Sequence, residues 1–239
     1  MGRTIKRRYQ PPIKIIRLVS KTGFITKKIW EEFFFSQNMS DSWKHRQWRK
    51  LTERKYFKHH LSKRCGDTLI LNRDNREILQ FVQREPSSPP SVTQMAHDEI
   101  LLRGMLRLES VIQNIQWETE AELKKMRGSA FKIHIQGQPL KYPDILIHRE
   151  DSEKKETMAI ELERTLKTQK RYVQILGAYA ASSNIGAILF IASSLAIKHT
   201  IGELIEKSYF PRKRIPIFFC SEKDWLSDPK TSVHYLFTE

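Results

Sequence analysis

The chain has 239 residues, enough for one large domain or two small ones, each with its own core. Hydrophobic residues make up 39% and charged residues 29%, a balance that suits a soluble globular protein and by itself names no function. Two cysteines, Cys65 and Cys220, stand in no Cys-x-x-Cys pair, which signals neither a zinc site nor a disulfide framework and points to an intracellular protein. Charge is more informative. Residues 1–92 carry 21 Lys and Arg against 8 Asp and Glu, whereas residues 93–239 carry 21 against 19. A strongly basic half beside a nearly neutral one calls for a polyanion partner, most economically nucleic acid. No apolar stretch follows the basic N-terminus, and the longest apolar run, residues 185–196, is too short to span a bilayer and is broken by Gly and Ser. The expectation is a cytoplasmic protein with no membrane partner.

Residues 13–19 place apolar side chains at helical spacing, and a turn at Lys21-Thr22-Gly23 follows. Thr26 is the expected N-cap of a second helix over residues 27–35, with Ile29, Trp30, Phe33 and Phe34 inward. Ser40-Asp41 opens a third helix over residues 42–54. Trp43, Trp48 and Leu51 face the core, and Lys44, Arg46, Gln47, Arg49, Lys50 and Arg54 lie outside. Two strands, 56–59 and 68–71, are joined by a basic turn that includes Lys63 and Arg64; His59 and His60, being adjacent, point to opposite faces. Residues 84–91 hold three prolines and three serines, the composition of an extended spacer. The expected division is therefore 1–83, a linker at 84–92, and 93–239.

Beyond the linker a helix is expected over residues 94–113, then strands at 115–117, 131–135, 143–148 and 157–163. A helix over 166–182, a buried strand at 186–191 with the continuous apolar look of a parallel sheet, a helix over 195–207 and a strand at 215–220 complete the pattern. Arg212-Lys213-Arg214 reads as a solvated loop, with an additional phosphate contact as the alternative.

Three helices followed by a basic hairpin resemble a winged helix-turn-helix domain. The resemblance implies that the third helix enters the major groove and the hairpin touches the backbone. Lys44, Arg46, Gln47, Arg49, Lys50, Arg54, Lys63 and Arg64 are then the DNA-binding candidates, Arg and Gln for base edges and Lys for phosphates.

The acidic residues of the second half carry the chemistry. Tyr142-Pro143-Asp144 opens one strand, and after sixteen intervening residues the next strand ends in Glu161-Leu162-Glu163. Two carboxylates delivered by neighbouring strands can hold a divalent cation. Pro-Asp followed by an acidic-x-charged triplet, in the order α-β-β-β-α-β, resembles the PD-(D/E)XK nuclease superfamily. The expected fold is thus α/β, α+β overall: a winged helix-turn-helix, then a PD-(D/E)XK-like αβββαβ domain. That resemblance makes Asp144 and Glu161 the metal-binding carboxylates. Glu163 falls where the motif has Lys, and can act as a general base or a third ligand. Lys167 or Lys170, on the following helix, would supply a migrated lysine.

More narrowly, the chain is similar to the replication-relaxation family of mobile genetic elements, which joins a winged helix to a degenerate nuclease-like domain. The matching pieces are His97-Asp98, the segment Trp117 to Leu123, Tyr142-Pro143-Asp144, Glu161 to Thr165, and Lys170-Arg171-Tyr172. On that alignment Glu120 is the upstream acidic residue, with Glu118 and Glu122 on its face if the segment is a strand, and Glu99 or Glu109 as substitutes. The resemblance implies a catalytic set of Asp144, Glu161, Glu163, Glu120 and Lys167, with Asp144, Glu161 and Glu120 as ligands. Hard oxygen donors suit Mg2+ or Mn2+. The implied function is a DNA-binding, metal-dependent endonuclease of a mobile element, acting in mobilisation, replication or transposition. The rival is a non-catalytic DNA-binding protein whose nuclease fold is a scaffold. Implied partners are double-stranded DNA, other proteins of the same element, and a second copy of the chain where both strands are cut. No His-x-His occurs, so a tyrosine relaxase is disfavoured; Tyr172 and Tyr179 read as packing or groove residues. Gly-rich phosphate loops are absent too, which argues against ATP hydrolysis.

Overall fold

The computed structural model describes residues 12–34, 39–82, 85–112, 115–126, 131–133, 135, 141–149, 156–207 and 215–234. They form a mixed α/β protein with two sheets, divided into two compact units, Met1–Val92 and Thr93–Glu239.

In the first unit α1, Ile13–Thr22, buries Ile15, Ile16, Leu18 and Val19. It stops at Gly23, whose φ of 86° and amide bond to the Val19 carbonyl make a left-handed cap. A Cβ at Gly23 would stand 2.5 Å from the Ser88 carbonyl oxygen, so the Pro/Ser stretch closes over the helix end. Ser87 secures it, donating through its amide to Ser20 O (2.7 Å) and through its hydroxyl to Lys21 O (2.9 Å). Residues 85–91 thus lack regular structure yet are bonded onto the first unit.

β1, Ile25–Thr26, leads into α2, Lys27–Phe33, where the Thr26 hydroxyl accepts from the Ile29 amide as expected of its cap. The helix stops at Phe33, with Phe34 as its C-cap, short of the expected residue 35, which lies outside the described residues. Ser40 caps α3, Asp41–Thr52, and the Trp30 and Trp48 rings, 5.2 Å apart, join α2 to α3. Trp43 is half-buried and does not join Trp48 and Leu51 in the core. The hairpin of β2, Phe57–Ser62, and β3, Gly66–Leu71, turns through three residues into Gly66 at φ 67°. The sheet order is β1-β3-β2, antiparallel throughout.

The second unit is built on a five-stranded sheet. α4, Val92–Val111, precedes β4, Gln116–Thr119, and the short α5, Glu120–Lys125. Then come β5, Ile145–Arg149; β6, Glu156–Glu163; α6, Gln169–Ala180; β7, Ala187–Ala192; α7, Leu195–Glu206; and β8, Ile217–Ser221. Two short helices, α8, Glu222–Ser227, and α9, Pro229–Val233, close the set. The order is β4-β5-β6-β7-β8, with β4 to β6 antiparallel and β6 to β8 parallel. All six residues of β7 are buried, which fits a parallel strand covered on both faces.

The strand expected at 131–135 is not formed as such. Among the described residues the pairing there is one isolated antiparallel bridge, between Ile133 and Lys141; residues 134 and 136–140 lie outside the described set. The helix expected over 166–182 starts three residues later, because Thr168 caps it by accepting from the Arg171 amide. Leu146, Ala159, Ile188 and Phe190 pack one sheet face against Tyr172, Ile175, Leu176 and Tyr179 of α6 and Ile197 and Ile201 of α7. Because side chains alternate along a strand, Glu161 and Glu163 share the Ala159 face, under α6. Among the described residues no helix is long and apolar enough to cross a membrane.

Candidate active site

The antiparallel register of β5 and β6 pairs Ile145 with Ile160. The next step of that register sets Asp144, just before β5, opposite Glu161. Asp144 is held there: its Oδ2 accepts from the Leu162 amide at 2.8 Å, and its carbonyl accepts from the Glu120 amide at 3.0 Å. Pro143 before it carries no donor and restricts the backbone that leads in.

Glu161 is buried, 2% exposed, and both its oxygens are engaged by the chain itself. Oε1 accepts from the Tyr179 hydroxyl of α6, and Oε2 meets the Lys141 ammonium. Glu163, 1% exposed, accepts from the Lys167 ammonium through both oxygens. On the Asp144 side stands His97 of α4. Its Nε2 lies 3.2 Å from Leu162 O and 3.5 Å from Asp144 Oδ2, while Nδ1 lies 3.0 Å from Asp98 Oδ1. Gln94 Nε2 donates to the same Asp98 oxygen at 2.7 Å.

Charge crowding sets the protonation of this cluster. Burial first, then the Glu161 charge, pushes Asp144 up to about 7, against the pull of Lys141 and His97. Burial works against the imidazolium of His97, but the Asp98 hydrogen bond and the Asp144 charge outweigh it and raise the group to about 9. Lys141 is likewise desolvated, yet Glu161 and then Asp144 raise it above the ordinary lysine value. Burial raises Glu163, with Lys167 opposing. Tyr179 is raised too, by burial and the adjacent Glu161, so it stays a proton donor.

The structure therefore gathers Asp144, Glu161, Glu163 and Lys167 on one strand pair and the loop that follows; Lys167, expected on the next helix, lies before it, because α6 starts only after the Thr168 cap. Glu120 is not on a strand: it is the first residue of α5, half-buried, and its carboxylate pairs with Lys124 at 2.8 Å. The shared strand face expected for Glu118, Glu120 and Glu122 does not exist, because Thr119 and Glu122 form a capping box that turns the chain into a helix. Glu118 instead pairs with His148 at 2.8 Å, and Glu109 accepts from the Trp117 indole. Lys170 is exposed on α6. Among the described residues no group of three or more His, Cys, Asp or Glu is arranged to hold a metal ion.

Two members of the cluster had no assigned role in the sequence. His97 lies 47 positions before Asp144, and only the fold brings them together. Lys141 stands three positions before Asp144, a proximity that was a usable signal.

In the first unit, Arg46, Arg49 and Lys50 of α3 are exposed, as are Lys63 and Arg64 at the hairpin turn. Arg49 Nε lies 3.4 Å from Glu53, and Lys44, half-buried, lies 3.5 Å from Asp41. Gln47 is half-buried as well. Arg54 falls beyond the end of α3 and is also half-buried, its Nε donating to Lys50 O at 3.3 Å. The expected exposed row of six is thus reduced to three. Arg212, Lys213 and Arg214 lie outside the described residues.

Compared with known proteins, the chain matches no family model, no curated protein and no solved structure.

Proposed function

We propose that this chain is a DNA-binding, divalent-metal-dependent endonuclease of a mobile genetic element. In this reading the first unit is a winged helix-turn-helix that holds double-stranded DNA, and the second is a PD-(D/E)XK-like domain that cuts it. One observation carries the proposal: neighbouring strands of a mixed sheet bring half-buried Asp144 opposite buried Glu161, with Glu163 and Lys167 beside them.

The donor set fits Mg2+ or Mn2+. Asp144 and Glu161 are hard oxygen donors; burial, and after it their mutual repulsion, lifts Asp144, and a cation relieves that repulsion. Mg2+ is commonly held by one or two carboxylates, with water and substrate phosphates completing its shell, so two suffice as the protein's share. A bound ion supplies a more acidic water and charge stabilisation at the scissile phosphate. The chain's own residues do the positioning. The Leu162 amide orients Asp144, and the Tyr179 hydroxyl orients Glu161. Glu163, raised by burial, is suited to take a proton from the attacking water, and Lys167 holds its two oxygens in place.

A second reading has its own support. Each carboxylate already has a basic neighbour: Lys141 on Glu161, Lys167 on Glu163, His97 beside Asp144. A cluster balanced in this way serves equally as the core of a non-catalytic DNA-binding scaffold. An end-labelled duplex on a denaturing gel separates the two. The endonuclease reading expects Mn2+-dependent cuts with no DNA left covalently attached to protein; a gel shift with uncut strands favours the scaffold.

A further inference from the structure

Glu161 is, with Glu163, one of the two fully enclosed charges of the cluster, and Lys141 is the cation placed on it. The lysine's backbone is pinned, with Lys141 N donating to Ile133 O at 3.1 Å and Ile133 N donating to Lys141 O at 2.8 Å. Tyr142 and Pro143, the two residues between Lys141 and Asp144, are both buried. One rigid segment therefore delivers a carboxylate and an ammonium to the same point. The ammonium itself sits on a flexible four-carbon stem and can move while the backbone stays. Lys167 differs: its side chain is 35% exposed, it serves Glu163, and it comes from the chain beyond β6.

We infer that Lys141 is a tethered counter-cation for the Asp144–Glu161 pair, which yields Glu161 to a divalent ion and so sets the affinity of the site for metal. The inference rests on the reading of Asp144 and Glu161 as the metal-holding pair. Its physical basis is simple. A buried carboxylate without a partner is costly, so the metal-free protein needs an internal cation. A dication and an ammonium drawn to the same carboxylate repel each other at short range in a poorly screened site. The lysine thus stabilises the empty site at the expense of ion binding.

The test is calorimetric titration of Mn2+ into the full chain, comparing wild type with Lys141→Met and Lys141→Arg. Lys141→Met removes the charge and nearly keeps the shape; it is expected to bind Mn2+ at least tenfold more tightly. Lys141→Arg keeps the charge and is expected to stay within about threefold of wild type. Equal or weaker binding by Lys141→Met overturns the inference, as does the absence of Mn2+ binding in both wild type and Lys141→Met. Should Lys141→Met fail to fold, the metal-free melting temperatures decide. Lys141→Met must then cost far less in a Glu161→Gln background, where no buried charge is left alone, than in wild type; equal costs count against it. Tighter Mn2+ binding by Lys141→Met in a protein that never cuts DNA would uphold the counter-cation and sink the endonuclease reading.

Discussion

His97 ties α4 to the carboxylate cluster, and its proton makes the stability of the second unit depend on pH. The imidazole is raised from 6.5 to about 9 in the folded chain, so the folded state holds the proton more tightly than the unfolded one. The stabilisation this gives is complete below about 6.5 and is lost as pH rises through about 9. Asp144, raised from 3.8 to about 7, titrates lower, which leaves the interval from 7 to 9 to His97. Thermal melts across that interval are expected to show falling stability, by at most roughly 3 kcal/mol, and His97→Gln is expected to flatten the curve. Asp144→Asn acts oppositely on stability: it removes one of two crowded buried charges while an amide oxygen can still accept from the Leu162 amide. At pH 8 it should stabilise the fold by on the order of 2 kcal/mol, read as a higher melting temperature, while abolishing the proposed cutting.

At the scale of elements, α4 and α8 meet at a glycine. Trp225, fully buried, donates its indole N–H to Ile100 O at 3.1 Å. A Cβ on Gly104 would lie 2.1 Å from that indole. Gly104→Ala therefore has to displace a packed ring, and we expect a loss of about 2 kcal/mol in chemical denaturation despite alanine's better helix propensity.

The same elements show what was readable beforehand. Residues 186–191 read as a buried parallel strand, found at Ala187–Ala192, because the run is continuously apolar; Thr26 read as a cap and Ser40-Asp41 as a helix start because such side chains precede amphipathic stretches. α5 and α8 escaped, although Thr119-x-x-Glu122 and Ser221-x-x-Asp224 are capping-box spacings. A strand face shared by Glu118, Glu120 and Glu122 stayed open for that reason. Residues 131–135 misled by alternation: Phe131, Ile133 and Ile135 have a strand's pattern, but the described pairing is a single bridge. Asp144, Glu161 and Glu163 were legible because strand ends and spacing mark them. Their partners His97 and Tyr179 were not, since both come from helices that only the folded sheet brings near.

For the whole molecule, the decisive property is the net charge of +15 and its concentration before residue 93. Binding carried by phosphate contacts weakens linearly in log–log plots against salt. Fluorescence anisotropy on a short duplex is expected to show this steep salt dependence. Lys50→Ala and Lys63→Ala, both at exposed positions, should each lower the slope by roughly one and weaken binding about equally on different sequences. Arg46→Ala, if α3 reads bases, should instead reduce discrimination between sequences. The central claim is hydrolysis of DNA at Asp144. The most direct measurement is a time course of supercoiled plasmid with wild type and Asp144→Ala, each with Mn2+ and with EDTA, at a protein concentration where both bind DNA. The account predicts nicked or linear plasmid only for wild type with Mn2+. Cutting that persists in Asp144→Ala, or plasmid left intact by wild type that binds both DNA and Mn2+, would contradict it.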